Sequence, residues 1–317
     1  MLFRSGRPVK WTADRSETFL ADAQARDNIS KAEMALDKDG KFLGMRVRTI
    51  ANLGAYCMDG TANSPLANLG TLAGVYTIGA FDVEVTAVFT NVTPLKAYRG
   101  NGRPEAAYVI ERLVDACADA TGIDPVELRR RNTIPASSMP YKTQLLFTYD
   151  CGEFEKNMDM ALELADAKGF AARKADAKKR GKLLGLGISN TIERAAAGGI
   201  EGAELRFDRS GTVSIVSGSV TQGQGHETIY KQMVCEHFGL KPGEIEYISG
   251  DSDKVPYGQG TGGSRSATLG GSALLMASRK VIAKATKIAA HMLEAAEADV
   301  EFKTGVFTIA EIGRAHV

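Results

Sequence analysis

The chain has 317 residues, 44% of them hydrophobic and 24% charged, with a net charge of +1. That length predicts about two domains with room for a full core, and the balanced charge argues against a dedicated nucleic-acid binder. Mean hydropathy is −0.14, and no apolar run reaches the roughly 18 residues that a membrane-spanning helix needs. The four cysteines, Cys57, Cys117, Cys151 and Cys235, form no C-x-x-C pair, which predicts reduced, mostly buried thiols. Met1-Leu2-Phe3-Arg4 leads into polar sequence with no apolar leader, which predicts a cytoplasmic protein.

In chain order, Arg7-Pro8-Val9-Lys10-Trp11 reads as a strand. Strands follow at 27–38 and 45–53, joined through Asp37-Lys38-Asp39-Gly40, a hairpin signal. Phe81–Phe89 alternates as a strand. A helix is expected over 105–121, ended by Gly122, and a short one after the capping pair Asp124-Pro125. A loop at 133–140 marks a domain boundary shortly after it. Glu153–Arg180 reads as one helix with a basic, solvated end. Strands are expected at 183–193, 200–207, 212–217 and 245–248, with a helix over 226–238. A long Ala-rich helix spans 271–298, and a strand begins at Val306. The class is α+β with at least two sheets.

Glycine, at 34 residues, is concentrated in three stretches. The first is Ala97-Tyr98-Arg99-Gly100-Asn101-Gly102-Arg103-Pro104, between a strand and a helix start. Such a loop offers backbone N–H groups to a ligand, and Arg99 and Arg103 add bidentate anion donors. The second is Thr221-Gln222-Gly223-Gln224-Gly225-His226, again strand to helix. Its two glutamines can present amide groups to a planar polar ligand, whereas His226 and Glu227, adjacent on a helix, point apart and make a poor metal pair. The third runs from Gly250-Asp251-Ser252-Asp253 through Gly258-Gln259-Gly260-Thr261-Gly262-Gly263-Ser264-Arg265-Ser266 into the long helix. Small residues, hydroxyls and an arginine there suit an anion cradle. Asp251 and Asp253 read as turn formers. No P-loop, Rossmann fingerprint or nucleophile elbow is present. The residues thus describe a cleft for a polar, phosphate-bearing cofactor, with no general base of their own.

Taken together and in this order, the three stretches resemble the molybdenum-binding subunit of the xanthine dehydrogenase/aldehyde oxidase family, in the branch of the carbon-monoxide-dehydrogenase-like large subunits. The resemblance runs from Arg7-Pro8-Val9-Lys10 to about Ala310 and includes Ala51-Asn52-Leu53-Gly54-Ala55-Tyr56 and Glu127-Leu128-Arg129-Arg130-Arg131-Asn132. It implies two molybdopterin-binding domains of mixed sheets with packed helices, at 1–140 and 141–310. It also implies a molybdopterin cofactor with molybdenum, the cytosine dinucleotide form in bacteria, and partner subunits carrying iron–sulfur clusters and FAD. No side chain would ligate the metal, which would meet backbone near Arg99 and Gly263. Arg99, Gly100 and Gly102 would face the metal centre. Gln222, Gly223, Gln224 and Gly225 would hold the pterin. Thr261, Gly262, Gly263, Ser264, Arg265 and Ser266 would line the metal and pyrophosphate, with Asn101 in the substrate pocket.

The implied reaction inserts water-derived oxygen at an electron-poor carbon, with hydride passing to a Mo=S centre and electrons to the partner subunits. The resemblance places the proton-accepting glutamate downstream of this chain and a Gly-Gly-Phe-Gly motif upstream. It therefore implies a fragment lacking both ends and inactive alone. Residues 311–317 match one frame of a sequencing adapter and read as non-native. Copper-dependent carbon monoxide oxidisers carry Cys-Ser-Phe where Gly100, Asn101 and Gly102 stand, and purine oxidisers place a phenylalanine at Asn101. Both departures leave an aldehyde or an N-heteroaromatic as substrate. The competing readings are a non-catalytic paralogue and a phosphate-ligand binding module that keep the fold.

Overall fold

The computed structural model describes residues 2–7, 9–58, 60–195 and 198–309. Ala310 and the segment 311–317 expected to be non-native lie outside them. The chain divides into two compact units between Glu193 and Arg194. The expected boundary after residue 140 therefore falls inside the first unit, because the chain beyond it packs back. Phe154 joins the first core, and Arg130 reaches Glu155 and Asp159 at 2.6 Å each.

The first unit contains helices α1 (Leu2–Ser5), α2 (Arg15–Ala21), α3 (Asn63–Thr71), α4 (Arg103–Thr121), α5 (Pro125–Asn132), α6 (Phe154–Leu164) and α7 (Phe170–Lys179). Its strands are β1 (Asn28–Leu36), β2 (Phe42–Gly54), β3 (Ala80–Phe89), β4 (Tyr141–Lys142) and β5 (Thr148–Tyr149). β1 and β2 form the expected hairpin. Asp37 closes it by accepting from the Asp39 and Lys41 amides at 2.9 and 2.8 Å. β3 adds to β2 in parallel after a crossover that includes α3. α4 lays Ile110, Val114 and Cys117 against Phe42, Met45 and Val47 of the central strand, which builds the main core. Burying each large aliphatic chain there contributes roughly 1.5–3 kcal/mol. Asp124 caps α5 by accepting from the Val126 and Glu127 amides, as its Asp-Pro signal predicts.

α5 is tied to α4 by a buried charge network. Arg129 is fully buried. Its Nε donates to Glu111 at 3.0 Å and its Nη2 to Asp115 at 2.9 Å, and it also reaches the Pro125 and Ile188 carbonyls. Tyr76 Oη donates to the other Glu111 oxygen at 2.6 Å. Burial pushes the Glu111 carboxyl above its ordinary value, against the pull of Tyr76 and Arg129.

The second unit repeats the plan with β6 (Ala203–Phe207), β7 (Val213–Ser217) and β8 (Ile245–Ser249). β6 and β7 are antiparallel, and β8 is parallel to β7 after a crossover through α8 (His226–Phe238). α8 and α9 (Gly271–Met292) close the core with Tyr230, Val234, Phe238 and Leu274. A small hairpin, β9 (Val300–Lys303) with β10 (Val306–Ile309), follows. Mixed sheets with packed helices bear out the α+β class.

Four expected elements differ. Residues 9–14 form no strand, and Pro8 of the strand expected over 7–11 lies outside the described residues. Residues 183–193 also form no strand, and Leu183 is fully exposed: the apolar alternation there meets no sheet edge. The helix expected over 153–180 breaks at Asp166, whose φ of 45° turns the chain, with Arg173 bonding the freed Ala165 and Asp166 carbonyls. The long helix ends at Met292, before a left-handed Glu294, although its Ala-rich composition favours continuing.

Candidate functional site

All three glycine-rich stretches lie where a strand gives way to a helix. The first lies between β3 and α4. Gly100, Asn101 and Gly102 have φ of 88°, 39° and 89°, three left-handed residues in succession. Only glycine adopts such values without cost, and asparagine tolerates them best among the rest. Among the described residues the Gly100 and Gly102 amides donate no hydrogen bond, and α4 has no side-chain N-cap. Free amides at a helix N-terminus form a nest for negative charge.

The turn is braced from outside. Arg26 donates to the Tyr98 and Arg99 carbonyls and stacks over the Tyr98 ring at 5.7 Å. Ser64 is buried and donates to Asn101 Oδ1 at 2.6 Å. Arg103 is not free for an anion, as the sequence suggested. It pairs with Glu193 at 2.7 Å and bonds the Gly100 carbonyl. Arg99 remains exposed, its guanidinium over the Tyr98 ring.

In the second unit the other two stretches interlock. An added Cβ at Gly218 would lie 2.3 Å from the Gly258 Cα, so only glycine lets these backbones cross. Thr261 donates to the Val220 carbonyl at 2.6 Å, Tyr230 to the Ser266 carbonyl at 2.7 Å and Tyr247 to the Ser219 carbonyl at 2.9 Å. Burial pushes both phenols up, so they keep the protons they donate.

Each loop has an exposed tip on a buried root. Thr221–Gly225 is exposed while Ser217, Ser219 and His226 are buried; Gly262, Gly263 and Ser264 are exposed while Arg265 and Ser266 are buried. Gly263 and Ser264 are left-handed, and among the described residues the amides of 262–264 donate no hydrogen bond. A π-helical turn, Ser266–Gly270, follows, a distortion frequent at functional sites.

The glutamines behave differently from expectation. Gln224 Nε2 donates to Gln222 Oε1 at 3.0 Å and Gln224 Oε1 accepts the Gln222 amide, so the two side chains pair across Gly223. His226 and Glu227 do point apart: His226 is buried and stacks on Tyr230, whereas Glu227 pairs with Lys231 at 2.7 Å. Asp251 accepts the Asp253 amide at 3.0 Å, a turn.

Buried polar atoms near these loops without a hydrogen-bond partner include Gln24 Nε2, Ser219 Oγ, His226 Nδ1 and Arg265 Nε. Unpartnered buried donors and open amide nests fit an acceptor-rich, anionic cofactor. Among the described residues no cluster of three metal-ligating side chains occurs, so the donor set suits a ligand held through backbone and amide groups. Sequence reasoning missed Ser64, Arg26, Glu201 and Tyr247. Each acts through a partner far along the chain, and no local pattern announces it.

The molybdopterin cofactor-binding domain family matches this chain twice, over residues 3–133 and 160–316. The carbon monoxide dehydrogenase large chain of Hydrogenophaga pseudoflava is 38% identical, matching 96% of this chain and 40% of its own length. Subunit gamma of the 6-hydroxypseudooxynicotine dehydrogenase complex of Paenarthrobacter nicotinovorans is 33% identical, over 96% of this chain and 39% of its own. The crystal structure of quinoline 2-oxidoreductase from Pseudomonas putida 86 superimposes with a TM-score of 0.88 at 31% identity, over 98% of this chain and 41% of that one. The chain thus spans about 40% of the length of the curated relatives it matches. With the fold, both cofactor-binding domains and the large-chain relatives in agreement, the chain belongs to the molybdopterin-binding large subunits of the xanthine dehydrogenase/aldehyde oxidase family, in the carbon-monoxide-dehydrogenase-like branch.

Proposed function

We propose that the protein works as the cofactor-holding subunit of a molybdenum hydroxylase, acting on an aldehyde or an N-heteroaromatic carbon. The observation that carries this is the pair of left-handed turns at Gly100–Gly102 and Gly263–Ser264, whose Gly100, Gly102, Gly263 and Ser264 amides donate no hydrogen bond among the described residues, on two domains of a family that binds molybdopterin. When bound, the cofactor supplies the oxygen transfer and accepts the electrons. The chain's own residues hold it. The Gly100 and Gly102 amides serve the metal end, the loop at 222–225 the pterin, and the loop at 261–266 the phosphates, in keeping with the cytosine dinucleotide form. Arg99, exposed beside the first turn, adds positive charge there.

The substrate class follows from the first turn. Gly100 carries no thiol, so a copper–sulfur bridge has no anchor, and carbon monoxide is set aside although relatives are named for it. Asn101 offers no aromatic face for stacking a purine. Its carboxamide, with Oδ1 engaged by Ser64, leaves an N–H edge for a carbonyl oxygen or ring nitrogen. Relatives named for a nicotine-derived substrate and for quinoline agree with that choice. Iron–sulfur and FAD subunits are the proposed partners, in the cytoplasm.

The test is metal and pterin analysis of the full-length subunit in its complex, made in cells with intact cofactor synthesis. One molybdenum and one pterin per chain is the expected result. Folded protein without molybdenum would sink the reading in favour of a cofactor-free paralogue.

A further inference from the structure

The two terminal nitrogens of the buried arginine at the root of the third loop are already engaged, and only its Nε has no partner. Arg265 is 8% exposed. Its Nη2 donates to the Ile200 carbonyl at 2.6 Å and lies 3.4 Å from Glu201 Oε2, while Nη1 donates to Gln259. The Glu201 side chain is 1% exposed. Its other oxygen accepts the Gly202 amide at 3.3 Å and sits against Gly218, where an added Cβ would lie 2.6 Å away. One buried carboxylate therefore touches three segments: the approach to β6, the root of the second loop and the root of the third. Gly199 covers the guanidinium edge so closely that a Cβ there would come within 3.1 Å of Nη1 and 2.4 Å of Gln259 Oε1.

For Arg265 to grip a phosphate with its terminal nitrogens it would have to leave Gln259, Ile200 and Glu201, and a buried carboxylate stripped of its partner is strongly unfavourable. The exposed amides of Gly262, Gly263 and Ser264 need no such exchange. We propose that Glu201 and Arg265 form an anchor, a pair of positioning residues that locks the roots of both glycine-rich loops so that the tips present their amides to the cofactor. Arg265 thus serves the phosphates from behind and is not their ligand. This rests on the functional reading above, which assigns the loop at 261–266 to the cofactor.

The experiment compares Glu201→Gln, Arg265→Gln and the double variant in the full-length subunit within its complex. Molybdenum per chain is the first readout, and melting of the cofactor-free complex is the second. For an anchor, each single variant lowers cofactor affinity by about tenfold or more, the scale seen when supporting partners of metal sites are removed. The double variant then falls no further. For a direct ligand, Glu201→Gln retains wild-type molybdenum and only the Arg265 variants lose it; that result overturns the proposal. Leu274→Ala, a core change in the same unit, controls for mere destabilisation and is expected to keep its molybdenum at temperatures where it is folded. If the wild-type complex carries no molybdenum, the functional reading fails. The anchor is then judged on the cofactor-free melts alone, where additive losses from the two single variants would overturn it.

Discussion

Arg129 and Arg265 are both buried arginines facing buried carboxylates, yet they do opposite work. Arg129 is saturated: every guanidinium nitrogen donates, to Glu111, Asp115 and backbone carbonyls of its own unit. Arg265 keeps one nitrogen without a partner, and its neighbours along the chain are exposed amides that donate to nothing among the described residues. A closed network is scaffold, because all its polar groups are satisfied within the fold. A network rimmed by such open amides is where a ligand completes the set, in front of the arginine and not on it. The same residue type thus marks the frame of one unit and the mouth of the other.

The sharpest way to break that contrast is Arg129→Met. It leaves Glu111 buried without its cation, and the first unit should lose about 3–5 kcal/mol. Denaturant unfolding of the complex checks this, and molybdenum bound per folded chain should stay unchanged. Gly258→Ala strikes the other side. Its Cβ would sit 2.2 Å from the Gly218 Cα, so overpacking should cost about 1–3 kcal/mol. Here the molybdenum content should fall even in protein that melts cooperatively.

Smaller effects separate buried from exposed charge by their pH dependence. Glu111 is raised by burial, so its contribution is fully present below the ordinary carboxylate pKa and is lost as pH rises through the raised one. Glu111→Gln should flatten the fall in melting temperature across that window. Asp159 behaves in the opposite sense. Hydrogen bonds from Arg130 hold it below the usual carboxylate range. Its contribution is present above that range and fades as pH drops through the lowered value. The pair is solvent-exposed, so Asp159→Asn should change the neutral-pH melt least of all, by an amount that salt erases.

Local chemistry made much of this legible in advance. The Asp37–Gly40 hairpin, the Asp124-Pro125 helix start and the three glycine-rich strand-to-helix loops are written in adjacent residues, and all formed where expected. What stayed hidden depends on partners distant in sequence. Glu201 looks like any surface glutamate until Arg265, 64 residues on, comes to it. Ser64 is 37 residues from the asparagine it orients. Composition offers the amides of Gln222 and Gln224 to a ligand but does not reveal that the two bond each other across a glycine. The stretch at 183–193 shows the converse error: alternation without a sheet edge to meet is only a pattern.

The left-handed turn at 100–102 has an evolutionary corollary. In this chain its outer two positions are glycines at φ of 88° and 89°, and only the middle one carries a side chain. While this backbone is kept, one codon alone decides which side chain the turn offers a substrate, and a change to Cys-Ser-Phe would have to reshape the turn as well as the sequence.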